Sequence, residues 1–197
     1  MRPLRLLLRG DASDRGSTLV EFALLAPVMF LLICGAMDLG YLYLAQTSLN
    51  GALLQAARLN AVSMEKSEND RQAAMRASIT ETMSPYSAVQ PVVDTKVFKT
   101  FAASQPEPYI DTNNNGQYDP PAPPFPGEAF TDRNGNGKWD ASIPLNSGAK
   151  TMGDVGDVVS YLATLDVQHL FPIYFNGKKT VSLRATAVVR NEATKTE

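Results

Sequence analysis

At 197 residues, with 44 % hydrophobic and 19 % charged side chains, the chain has room for one medium domain plus an appendage, and its composition excludes wholesale disorder. A formal net charge of −2 leaves no global basic field to gather nucleic acid. A single cysteine, Cys34, excludes an intramolecular disulfide and a thiolate metal centre.

The N-terminal residues 1–16 are a basic flank, with Arg2, Arg5, Arg9 and Arg15 against Asp11 and Asp14. From Phe22 to Met37 no residue carries a charge. As a helix that run reaches about 24 Å, short of a hydrocarbon core of roughly 30 Å. Leu39 to Leu44 are therefore expected to complete a span over residues 17–44, with Tyr41 and Tyr43 at the far interface. Pro27 is tolerable in a membrane helix. The arginines ahead of the span put the N-terminus in the cytoplasm and residues 45–197 outside it. A cleaved secretory signal is the competing reading. No A-x-A site follows the apolar run, however, and Leu42, Ala45, Leu49, Ala52, Ala56 and Leu59 continue a helical stripe, which favours an anchor. Cys34 reads as a small buried hydrophobe. Asp38 either marks the outer interface or lies deeper and pairs within an assembly, and the interface is the expectation.

The acidic residue Glu21 stands at the very start of the apolar run, in the stretch Gly16-Ser-Thr-Leu-Val-Glu21-Phe. This basic leader, glycine, short spacer and glutamate resemble a type IV prepilin peptidase site. The continuation VEFALLAPVMFLLICGAMDLG, the AAR of Ala56–Arg58 and the terminal ATAVVRNE are similar to the TadE-like family of pseudopilins and minor pilins of the tight-adherence (Flp, type IVb) pilus. The resemblance covers residues 10–60 and the last dozen residues, not the middle of the chain. It implies a leader 1–16 removed after Gly16, Ser17 as the new N-terminus, and an assembly role for Glu21. A new ammonium at Ser17 would lie one helical turn from the Glu21 carboxylate. In hydrocarbon each needs a partner, on its own chain or on a neighbour's. The implied partners are other pilin or pseudopilin subunits, the assembly platform, the prepilin peptidase and the bacterial inner membrane.

Helical pattern runs to about Val62. A second helix is predicted from an N-cap at Ser67 to Met83, with Asp70 in its first turn, a stripe of Met75, Ile79 and Met83, and Pro85 as terminator. Strands are predicted over Val92–Phe101, over Asp157–Gln168, where apolar and polar residues alternate, and over Thr180–Val189 behind an Asn176-Gly177 turn. A long N-terminal helix followed by a small antiparallel sheet is a pilin-like α+β plan.

Between the first two strands, EPYIDTNNNGQYD (Glu107–Asp119) and EAFTDRNGNGKWD (Glu128–Asp140) align without gaps. Each contains D-x-N-x-N-G-x-x-D, similar to the opening of an EF-hand or dockerin calcium loop. The expected oxygen donors are Asp111, Asn113, Asn115 and Asp119, then Asp132, Asn134, Asn136 and Asp140. Gln117 and Lys138 are expected to contribute main-chain oxygens. Where an EF-hand ends on a bidentate glutamate, Ala122 and Ile143 stand instead. Glu128 is the candidate to close the first loop, provided Pro120–Gly127 loops out. A pair of turns that binds no metal is the competing reading, since Asn and Gly suit turns in any case. Duplicated spacing favours calcium, as a stiffener of the 107–140 insertion.

The one histidine, His169, follows a strand, and neither a nucleophile elbow nor a phosphate loop is present. A non-enzymatic assembly protein is expected. The alternative is a permanently anchored extracytoplasmic calcium-binding adhesion module with no filament role.

Overall fold

The computed structural model describes residues 12–145, 151–172 and 177–192. A single helix, α1 (Ala12–Val62), runs the length of the molecule, with Pro27 inside it. Its two halves have different surroundings. No residue from Leu19 to Met37 is buried, and the large apolar side chains there are 50–73 % exposed. The second half is amphipathic: Ala45, Leu49, Ala52, Leu53, Ala56, Ala57 and Ala61 form a buried stripe at three- and four-residue steps. The seam is mostly alanine, so the helix backbone lies close to whatever covers it.

The cover is α2 (Glu68–Met83) and a three-stranded antiparallel sheet ordered β1 (Val92–Phe98), β2 (Val158–Gln168), β3 (Thr180–Arg190). In α2 the predicted cap is present: Ser67 Oγ accepts from Asp70 N at 3.2 Å, and Met75, Ile79 and Met83 are buried. β2 is central, and its alternation decides its faces. Val159, Tyr161, Ala163, Leu165 and Val167 are buried toward the helix, while Leu162, Asp166 and Gln168 are exposed. Register follows from that alternation, because a one-residue slip would send all five buried residues to solvent. Val97 pairs with Val159, and Tyr161 with Ala187. The small Ala163, Ala185 and Ala187 face the alanine seam of α1, all within one core cluster. β1 ends at Phe98, three residues short of the sequence expectation. Its partner β2 starts at Val158 opposite Phe98, and the chain then bends into a 3-10 turn at Ala102–Ser104.

One buried polar cluster joins the helices to the sheet. Arg71 is buried and donates to Asn60 Oδ1 at 2.7 Å, to the carbonyl of Met152 at 3.2 Å and to that of Gly153 at 3.5 Å. Asn60 in turn donates to Tyr161 Oη at 3.0 Å, and burial pushes the Tyr161 phenol up to about 12. These bonds tie α1, α2, β2 and the segment before β2 into one unit.

Direction matters for function. α1 and β3 run the same way, since Gln46 Nε2 donates to Arg184 O at 2.8 Å and Ala61 O accepts from Glu192 N at 3.0 Å. The β2–β3 connection therefore lies at the pole where α1 enters the domain. The 107–140 insertion, which leaves from the end of β1, lies at the opposite pole.

Candidate functional site

The N-terminal elements come first. Gly16 and Ser17 lie within the backbone of α1, which begins at Ala12. Ser17 and Glu21 are one turn apart on it, and Glu21 is exposed at the head of the bare apolar run. Over Thr18–Val62 the helix is long and apolar enough to cross a membrane. From Leu19 to Met37 it measures about 28 Å at 1.5 Å per residue, close to a hydrocarbon thickness.

Asp38 directly follows the bare apolar run, at the level expected of an outer interface, but its side chain is completely buried against the domain. Its Oδ2 accepts from His169 Nδ1 at 2.8 Å, and its Oδ1 accepts from the backbone N–H of Leu170 at 2.6 Å and of Phe171 at 3.3 Å. Three donors from consecutive residues satisfy a carboxylate that would otherwise be too costly to bury. Tyr41 also packs onto the domain, its ring 5.6 Å from that of Tyr86 and its hydroxyl donating to Tyr86 O. His169 is thus a satisfied histidine, with a side chain only 4 % exposed.

The twin loop is built by the same rules twice. In the first copy Asp111 accepts from the N–H groups of Asn115 at 3.2 Å and Gly116 at 2.8 Å, and Asn113 Oδ1 accepts from Asn115 N at 3.0 Å. Asp119 Oδ2 receives the side-chain amides of Asn113 at 2.6 Å and Asn115 at 3.1 Å. The second copy repeats this with Asp132, Asn134, Asn136, Gly137 and Asp140, where the two amide contacts are 2.8 and 2.7 Å. The backbone N–H groups of Gln117 and Lys138 donate to Asn115 Oδ1 and Asn136 Oδ1, both at 2.7 Å. The glycines Gly116 and Gly137 take φ of 74°, the left-handed turn that the motif needs. The N–H of Gly137, and then those of Gly135 and Asn136, hold the Asp132 carboxyl below its ordinary value.

Each loop gathers two carboxylates and two side-chain amides, a hard-oxygen donor set suited in kind to calcium rather than to a transition metal. The charge is low for such a site. Among the described residues no group of three or more His, Cys, Asp or Glu side chains stands where it could hold a metal ion.

Sequence reasoning missed how the loops are closed. Glu128 does reach the first loop, but through its backbone: Oε1 accepts from Thr112 N at 2.7 Å and Oε2 from Asp119 N at 3.1 Å. Glu107, which was not singled out, does the same for the second loop, accepting from Arg133 N at 2.6 Å and Asp140 N at 3.0 Å. Both glutamates are buried. The available signal was their identical position in the two copies.

The copies also share a bridge between Tyr109 and Phe130, with Ile110 N donating to Ala129 O and Thr131 N to Pro108 O, both at 2.8 Å. Around the bridge the aromatic residues pack together. Tyr118 stacks on Trp139 with centroids 4.8 Å apart, and Tyr109 meets both edge-on. Pro120–Gly127 does loop out, and Phe125 on it is 73 % exposed.

No curated protein and no solved structure matches the chain. The segment that carries a likeness is the one built from Gly16, Glu21, the bare apolar run and the start of the alanine seam. Residues 16–58 match the family model described as TadE-like protein.

Proposed function

We propose that this protein is a non-enzymatic, pseudopilin-type component of a Tad (Flp, type IVb) pilus or related secretion apparatus. In this reading it is made with a leader that ends at Gly16, and it works from the bacterial inner membrane with its C-terminal domain outside the cytoplasm. The match over residues 16–58 supports the pilus-associated role. The observation that carries the reading is the continuity of α1: one helix joins Glu21, an unburied apolar run of membrane length and the seam on which the domain packs. After cleavage the Ser17 amine and the Glu21 carboxylate would share one turn in an apolar setting, where each is best satisfied by the other or by its counterpart on a neighbouring subunit. Other pilins or pseudopilins, the assembly platform and the prepilin peptidase are the partners this implies. Intact-mass measurement or N-terminal sequencing of membrane-extracted protein, from cells that contain the peptidase, tests it. The expected N-terminus is Ser17; a chain that keeps Met1 or Arg2 fails the reading.

The twin loop adds a calcium-stabilised cap at the membrane-distal pole. Asp111, Asn113, Asn115 and Asp119 in one copy, and Asp132, Asn134, Asn136 and Asp140 in the other, supply side-chain oxygens, with main-chain oxygens of Gln117 and Lys138. The crossed glutamates Glu107 and Glu128 hold the loop backbones for them. Bound calcium would neutralise the paired carboxylates of each loop, and the melting temperature of chelator-treated protein should rise when calcium is added. No shift at millimolar calcium removes the metal from the reading and leaves the pilus role untouched. The exposed distal position of this cap also suits a permanently anchored adhesion module, which an uncleaved N-terminus would favour.

A further inference from the structure

The two poles of the domain differ in what they present, and the pole near the bare helix carries a feature that the pseudopilin reading does not use. From Gln46 back to Asp38 the helix covers about 12 Å, and from Arg184 back to Thr180 the strand covers about 13 Å. The Gln46–Arg184 hydrogen bond therefore sets Thr180 level with Asp38. The bonds from Asp38 to His169, Leu170 and Phe171 fix the other end of the β2–β3 connection at the same height. His169 N donates to Lys179 O at 2.9 Å, which closes the base of the connection. Immediately N-terminal to Asp38, α1 has no buried residue as far back as Leu19.

At this height the described residues of the connection are of two kinds. Leu170 is 47 % exposed, and Phe171 and Pro172, which follow it in the chain, are half-buried. Lys178 and Lys179 are exposed beside them. Apolar groups that face outward next to a lysine pair, at the level where a bare apolar helix begins, match the boundary between acyl chains and anionic headgroups. Asp38 adds no opposing surface charge, because it is fully buried and saturated with donors.

We infer that the described residues at this pole form a second membrane contact, in which Leu170 and Phe171 enter the headgroup–acyl boundary and Lys178 and Lys179 bind anionic phospholipid headgroups. The inference rests on the reading of α1 as a membrane-spanning helix. One helix alone lets a domain swing on its anchor. A second contact, clamped to that helix through Asp38, fixes the domain's tilt and points the twin loop away from the bilayer. Continuity with the helix–lipid boundary is what selects lipid over a second copy of the chain as the occupant.

The test uses the full chain with Cys34→Ser, reconstituted in nanodiscs of phosphatidylethanolamine and phosphatidylglycerol. Spin labels are placed singly at Leu170→Cys, Leu31→Cys and Phe125→Cys, and collision with oxygen is compared with collision with a water-soluble nickel complex. The inference expects Leu170 to show high oxygen and low nickel accessibility, Leu31 to be deeper still and Phe125 to be aqueous. Lys178→Glu with Lys179→Glu should move the Leu170 label toward water in these discs, and much less in discs of phosphatidylcholine alone. A lipid-embedded Leu31 with Leu170 as nickel-accessible as Phe125 overturns the inference and leaves the anchor standing. An aqueous Leu31 overturns both. Protection of Leu170 that appears only with two copies per disc assigns the surface to a protein contact and overturns the lipid assignment.

Discussion

Glu107 and Glu128 each close the loop that belongs to the other's copy. Glu107 precedes the first loop but binds Arg133 N and Asp140 N of the second, while Glu128 precedes the second and binds Thr112 N and Asp119 N of the first. The two loops are thus clasped, and neither is complete without the arm that leads into its twin. Glu107→Ala leaves two loop N–H groups without their acceptor, at about 1–3 kcal/mol for each one left unsatisfied. Amide hydrogen exchange should accelerate at Arg133 and Asp140 and change far less at Thr112 and Asp119. Equal acceleration in both loops would contradict the crossed arrangement.

The Asp38 clamp makes a separate prediction. Asp38→Ala leaves the His169 ring and two backbone N–H groups without their shared acceptor, at about 1–3 kcal/mol for each one left unsatisfied. Asp38→Ala should therefore lower the thermal midpoint of the detergent-solubilised protein. It should also speed exchange at the Leu170 and Phe171 amides, which lose their acceptor. His169→Ala leaves those two backbone donors in place and should cost less. A double-mutant cycle measures the coupling directly.

Acid sensitivity should appear at the start of α2. Burial alone would push the Glu68 carboxyl up, but bonds from the Thr151 hydroxyl and from the N–H groups of Met152 and Thr151, with the nearby charge of Arg71, bring it below its ordinary 4.5. A folded-state value below the unfolded one means that the stabilisation is present above about pH 4.5 and is lost as pH falls through the folded value. Glu68→Gln should cost on the order of 1 kcal/mol at pH 7, since the site is largely open to solvent screening. At pH 3 the variant and the parent should come closer together in melting temperature. A constant gap across that range would refute the assignment.

The alanine seam sets a steric limit. Ala57 is fully buried in the cluster that holds Ala163, Ala185 and Ala187. Ala57→Leu inserts three carbons where helix and sheet already approach closely, and overpacking of that kind costs about 1–3 kcal/mol. Leu54, one turn away on the same helix but outside the buried seam and 41 % accessible, should tolerate Leu54→Ala with little change. Chemical denaturation of the two variants separates a packing effect from a helix-propensity effect.

By itself the sequence determined the local geometry and the faces. Three- and four-residue steps from Ala45 to Ala61 specify one helix side, alternation from Val159 to Val167 specifies one sheet side, and the Ser67 cap and the duplicated loops are local too. These features depend on neighbours a few positions away, so periodicity and turn chemistry suffice to read them. What only the tertiary structure decided is which distant groups meet. Asp38 finds His169 across 131 positions, Arg71 finds the carbonyls of Met152 and Gly153, and the Glu107 and Glu128 carboxylates cross between copies. A buried polar group announces in sequence that it needs a partner. The partner's identity is fixed only when chain direction and sheet register bring the two ends of the fold to the same height.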